Sequence, residues 1–340
     1  MKLIDLHCDT IWKLMDLDRK GDLMENGCSI NIPAMRQAGT KAQFFACFTY
    51  IEEWKERGGY DGAYRHVKEM IHYLKGQTDS FADDMALALT YEDLQENAER
   101  GKISACLTVE EGGVLNGKTE RLEELYREGV RLMTLMWNYE NCIGFPNSSN
   151  PSVMKRGLKD FGREVVRKMN ELGMIIDVSH ASDGVFWDVL EESTQPVVAS
   201  HSNCRAICPH PRNLTDEMIR TLAKEGGIAG LNFYGPFLGD EHASKIEEMT
   251  SHVLHMLNVG AVNSQPLELI LTGLTEWMSW RSPMQEDGTP LGCAEKERRD
   301  RTPAGPDLGR QCRTDLRTGA GPEKVMKETE EKDRNERKTI

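Results

Sequence analysis

The chain has 340 residues, 39% of them hydrophobic and 29% charged, and 55 acidic against 42 basic residues leave a formal charge of −13. That length can bury a sizeable core and admits one barrel-sized domain or two ordinary ones. The acidic balance argues against a nucleic-acid backbone as main partner, no apolar run reaches the roughly 20 residues of a membrane helix, and Asp5 puts a charge where a signal peptide would be apolar. Nine cysteines form no paired framework, and Cys8, Cys47 and Cys106 lie in apolar stretches, so they read as reduced thiols of a cytoplasmic protein.

In chain order, Leu3–Leu6 is a short apolar run ending at His7, and Gln43–Phe48 is a second. Ile103–Val109 follows a helix expected over Tyr91–Arg100, where Thr90 and Asp93 fit a capping pattern. Leu132–Met136 follows a helical stretch over Arg121–Arg127, with Leu122, Leu125 and Tyr126 at helical spacing. Met174–Val178 follows Phe161–Leu172, and Pro196–Ala199 follows Gly184–Glu192. Ile228–Phe233 follows Asp216–Lys224, whose end is marked by Gly226 and Gly227, and Met249–Val259 reads as a further helix.

Seven strand candidates alternating with helices imply a parallel sheet covered on both faces. Seven units with an eighth missing suggest a (β/α)8 barrel, a fold that takes about 250 residues. An open doubly wound sheet is the alternative, but no G-x-G-x-x-G follows the first strand. The character changes near Gly260: stretches such as Glu295–Arg301 and Glu328–Lys338 are nearly all charged, although Leu267–Leu274 is apolar and Trp277 and Trp280 lie just beyond. The expected division is therefore a barrel over 1–260 and an atypical tail over 261–340.

Chemistry gathers at strand ends. In extended chain His7 and Asp9 face the same way, and an imidazole beside a carboxylate suits a transition metal such as zinc. Glu110 follows the third apolar run, His180 the fifth and His201 the sixth. In a barrel these ends converge on one face. Five such groups exceed one tetrahedral ion, whereas two ions sharing a carboxylate would use them and would suit hydrolysis. The remaining histidines, His66, His72, His210, His242, His252 and His255, lie in helical or loop contexts. Arg212 could pair with a substrate carboxylate, but taken alone it reads as a surface arginine before a helix.

The motifs Asp5-Leu6-His7-Cys8-Asp9-Thr10, Val109-Glu110, Asp177-Val178-Ser179-His180, Ser200-His201-Ser202-Asn203, Pro211-Arg212-Asn213 and Asn232-Phe233-Tyr234 resemble the renal (membrane) dipeptidase family of amidohydrolase-type barrels. The resemblance spans about residues 1–260. It implies a two-zinc hydrolase of dipeptides, some with a C-terminal D-residue. His7 and Asp9 would hold one ion, His180 and His201 the other, and Glu110 would bridge them as the catalytic carboxylate, with Glu111 the fallback. Arg212 would take the substrate carboxylate, with Trp137, Asn138 and Tyr234 also facing substrate. The implied partner is a small dipeptide, with no nucleic acid or membrane; a homodimer stays open. Two rivals remain: a metal-binding but catalytically impaired chain, and an amidohydrolase acting on N-acyl amino acids.

Two departures from the family stand out. Trp137 occupies a position where many members carry histidine. The family's Gly-[Ser/Thr]-Asp-Phe-Asp-Gly, with its proton-transfer aspartate, is absent. Synonymous codons for Gly260–Gly273 can be chosen so that a neighbouring frame reads Gly-Ser-Glu-Phe-Ala-Ala-Ile-Gly-Thr-Asp-Phe-Asp-Gly, and a helix-like segment near Asp287 emerges in the remaining frame. The tail is therefore expected to be an out-of-frame reading of the family's C-terminus.

Overall fold

A computed structural model describes residues 3–16, 21–239 and 244–260. Among these, eight strands form one sheet: β1 Leu3–Cys8, β2 Thr40–Phe48, β3 Met85–Leu87, β4 Ile103–Glu110, β5 Val130–Thr134, β6 Ile175–Asp177, β7 Val198–Ala199 and β8 Ile228–Ala229. Every pairing is parallel. The ladder runs β1-β2-β4-β5-β6-β7-β8, with β3 on β4. All seven expected strands are present. The short β3 was not foreseen: β2 already pairs with Ser104 and Ala105, so β3, which pairs with the same residues, lies on the opposite edge of β4, end to end with β5.

The helices are α1 Thr10–Asp16, α2 Ile32–Gln37, α3 Gly59–Ser80, α4 Tyr91–Glu99, α5 Thr119–Arg127, α6 Pro151–Met154, α7 Asp160–Leu172, α8 Asp183–Glu192, α9 Asp216–Lys224, α10 Gly235–Leu238 and α11 Ile246–Gly260. The longest, α3, was not among the expected elements, although Ala63, Val67, Met70, Ile71 and Leu74 form its buried stripe at helical spacing. At the start of α4 the expected cap is complete. The Asp93 amide donates to Thr90 Oγ1 (3.1 Å) and the Thr90 amide donates to Asp93 Oδ2 (2.9 Å).

Strand alternation sorts the core into two compartments. In β4, Ala105, Leu107 and Val109 join one large cluster with the helices, which includes Phe45, Ile11, Leu14, Val67 and Ile71. Cys106 instead joins Ala42, Phe44, Ala88 and Leu132 in a small cluster against which Leu6, Leu94 of α4 and Ile175 pack. This second cluster is the barrel interior, and Thr108 and Glu110 stand on the same face of β4 toward its carboxyl end.

The two ends of the ladder approach each other through side chains. The His7 and His201 rings stack at 4.0 Å, and a Cβ on Gly230 would lie 3.3 Å from Leu6. The same Cβ would lie 2.1 Å from the Ser200 carbonyl oxygen, so only glycine lets β8 follow β7 here. β7 starts two residues later than expected and ends where expected, while β8 ends early where the chain turns to a side chain for a hydrogen bond: the Asn232 amide donates to Asn203 Oδ1 (2.9 Å). The architecture is a parallel α/β sheet curled into a partial barrel. The tail over 261–340, its reading as an out-of-frame segment and any eighth barrel strand there lie outside the described residues.

Candidate metal centre

Every expected ligand stands at the carboxyl end of a strand. His7 is near the end of β1 and Asp9 follows it; Glu110 closes β4, His180 lies three residues past β6, and His201 two past β7. Glu110 is buried and sits between the others. Its Oε2 faces His7 Nε2 at 3.8 Å, while its Oε1 faces His180 Nε2 at 3.2 Å and His201 Nε2 at 3.7 Å. Asp9 Oδ1 is 3.5 Å from His7 Nε2. Ligand atoms of His7, Glu110 and His201 all lie within 4.8 Å of one another.

Glu111 is excluded as the bridge. Its φ of 91° turns the chain, and its carboxylate accepts from the amides of Gly113 (2.9 Å) and Trp137 (2.9 Å) and from Asn141 Nδ2 (2.7 Å). It organises the loop after β5, and burial pushes its pKa up despite those donors. His180 also has positive φ, 71°, a conformation few non-glycine residues adopt. It is held there by Asn147, whose amide (2.7 Å) and Nδ2 (3.1 Å) both donate to the His180 carbonyl. Strain of this kind gathers at functional positions.

The donor chemistry fits a bound metal. His180 Nδ1 donates to Asn138 Oδ1 (2.9 Å), and His201 Nδ1 meets Ser200 Oγ (2.7 Å), whose own proton goes to Asp177 Oδ2 (2.7 Å). These acceptors call for a proton on Nδ1 of each ring, and the two Nε2 atoms face each other at 3.0 Å. A shared cation suits that encounter, and such orientation of a ring by its other nitrogen is usual for metal-binding histidines. At His7 burial works to lower the pKa, but Glu110 and Asp9 outweigh it and raise the pKa to about 9. The surroundings thus favour positive charge.

Around the cluster, Arg212 proves to be buried (4% exposed), not a surface arginine. It donates through Nη1 to Ser202 Oγ (2.7 Å) and through Nη2 to the His201 carbonyl (2.8 Å), which ties it to the wall of the site. Trp137 packs with Phe48, Tyr50 and Tyr139, its ring 6.2 Å from His180. Asn138 serves His180. Tyr234 lies past β8 with its ring edge-on to Phe237. Sequence reasoning assigned no role to Asp177, Ser200 or Thr134. The signal was a lone acid in the apolar run Met174–Val178, since a buried carboxylate must find donors.

His210 borders Arg212, whose amide donates to His210 Nδ1 (3.1 Å). Burial, then the charges of Arg212 and Arg205, lower the His210 pKa from 6.5 to about 4. The folded state keeps this ring neutral where the unfolded chain would protonate it. Its contribution is intact above pH 6.5 and is lost as pH falls toward about 4. His210→Asn, which retains an acceptor, should flatten the decline of stability across that window by roughly 1 kcal/mol, discounted for partial exposure. Urea denaturation at stepped pH measures this; parallel wild-type and variant curves would refute it.

Residues 1–264 match the family described as membrane dipeptidase (peptidase family M19). An uncharacterized protein in the pqqA 5' region of Klebsiella pneumoniae is 32% identical over 219 residues, covering 62% of this chain and 77% of that one. The uncharacterized dipeptidase C965.12 of Schizosaccharomyces pombe is 29% identical over 274 residues, covering 76% of this chain and 66% of that one. The crystal structure of a metallopeptidase from Rhodobacter sphaeroides, liganded with a phosphinate mimic of the dipeptide L-Ala-D-Ala, has the same fold, with a TM-score of 0.68 at 21% identity over 76% of this chain and 83% of that one.

Proposed function

This chain belongs to the membrane dipeptidase family, and from that premise we propose that it hydrolyses dipeptides at a pair of zinc ions. The observation that carries the reading is Glu110, whose two oxygens face two separate histidine groups. His7 and Asp9 would hold one ion, His180 and His201 the other, and Glu110 would bridge them. When bound, such a pair supplies Lewis acidity toward the peptide carbonyl and an activated water.

The chain's own residues supply recognition and placement. Arg212 would take the substrate carboxylate, its guanidinium fork oriented by its bonds to Ser202 and the His201 carbonyl. Trp137 gives an apolar wall that excludes water and, lacking an ionisable ring, cannot replace the charge a histidine would bring. Among the described residues no helix is long and apolar enough to cross a membrane. The described cysteines are thiols, which fits a reducing, cytoplasmic setting, and burial pushes the Cys106 thiol up to about 12.

The test is metal content and turnover of the full chain. Two zinc ions per chain, with hydrolysis of dipeptides but not of their C-terminal amides or of N-acyl amino acids, is expected. Two zinc ions without dipeptide hydrolysis would sink the enzymatic reading; preference for N-acyl amino acids would sink the substrate. His180→Ala should lose about one zinc while the His7 side stays partly occupied, since one of two ions loses a ligand. Unchanged metal content by atomic emission would refute that assignment.

A further inference from the structure

The barrel interior beneath the candidate metal centre holds a relay of side chains that ends on His201. Asp177 is fully buried. Its Oδ1 accepts the amides of Ser179 and Ser200, each at 2.9 Å. Its Oδ2 accepts the hydroxyls of Thr134 (2.6 Å) and Ser200 (2.7 Å). With its proton committed to Asp177, Ser200 Oγ can only accept from His201 Nδ1 at 2.7 Å. Ser179 is tied in as well: its Oγ accepts the His201 amide (3.1 Å) and stands 3.3 Å from Ser200 Oγ.

We propose that Asp177, acting through Ser200, is a positioning residue that fixes the His201 tautomer and so keeps Nε2 open as a ligand. The inference rests on the metal reading above. Donor directions carry it. Two backbone amides require an oxygen at the Oδ1 position, so in Asp177→Asn the amide nitrogen must take the Oδ2 position. That nitrogen would donate to Ser200 Oγ, whose proton would turn to His201 Nδ1 instead. The ring would then carry its proton on Nε2, pointed at the ion. The substitution keeps the shape and both amide bonds to the Oδ1 position, yet reverses the bonds at the Oδ2 position and the one between Ser200 and His201. Reversal of a histidine tautomer by an Asp→Asn change behind it is a known way to lose function with geometry intact.

Three forms of the full chain test this: wild type, Asp177→Asn and Ser200→Ala. The last removes the hydroxyl and leaves Asp177 its other donors. Zinc competition against a chromogenic chelator should show two sites in wild type. In both variants one site should weaken about 10- to 100-fold, the usual cost of losing such a partner, with the other nearly unchanged. In the zinc-free state, histidine-ring ¹⁵N spectra should place the His201 proton on Nδ1 in wild type and on Nε2 in Asp177→Asn. Zinc-free wild type and Ser200→Ala should keep matching circular dichroism, so that the loss is not unfolding. Two unchanged zinc affinities in folded Ser200→Ala, or an unmoved tautomer in Asp177→Asn, would overturn the proposal. A wild-type chain that takes up no zinc would overturn the metal reading itself, and the relay's purpose with it.

Discussion

Under the proposed two-ion reading, Glu110→Gln is expected to cost at least one ion and nearly all hydrolysis. The carboxylate is buried between His7 on one side and His180 with His201 on the other, one oxygen for each. Glutamine keeps the shape but has a single oxygen, so its NH2 must face one of the two groups. That side loses an anionic ligand and meets a donor where an electron pair is needed. Losing about 4 kcal/mol of transition-state stabilisation corresponds to roughly a 10³-fold drop in kcat/KM. Metal analysis and steady-state kinetics on the variant measure both effects. Retention of two tightly held ions with activity within tenfold of wild type would refute the bridging role.

Phe45→Ala should produce the largest loss of stability. Phe45 is fully buried in the middle of β2, between Cys8 of β1 and Leu107 of β4 in register. It shares a cluster with Ile11 and Leu14 of α1 and Val67 and Ile71 of α3. Flanked by two strands and covered by helices, the site has little freedom to collapse around the void. Phenylalanine-to-alanine changes in such settings cost about 3–5 kcal/mol, a large share of the roughly 5–15 kcal/mol that holds a domain folded. Urea denaturation reads this directly, and a loss below about 1 kcal/mol would show that β2 and its covering helices repack.

The fold was readable where local pattern and tertiary role coincide. The runs of β2 and β4 are almost continuously buried because these parallel strands are covered on both faces, so each stood out between helices. β3 did not: three residues sharing an edge of β4 with β5 carry no period of their own. The helix α3 was missed although its stripe of Ala63, Val67, Ile71 and Leu74 is helical. The early end of β8 is equally invisible, since there Asn203 takes the amide of Asn232.

Legible along the chain were the candidate ligands His7, Asp9, Glu110, His180 and His201, each placed at the end of an apolar run. Chain order and strand alternation are local properties, and a parallel barrel turns strand ends into one face. Between the adjacent acids Glu110 and Glu111, only the tertiary structure chose. The positive φ of Glu111 sends its carboxylate to the amides of Gly113 and Trp137 and leaves Glu110 facing the histidines. It also moved Arg212 from the surface to the wall of the site and gave Asp177 and Ser200 their hold on His201. Those roles depend on which donor reaches which acceptor across separate strands, a matter of distance and direction that spacing along the chain does not encode.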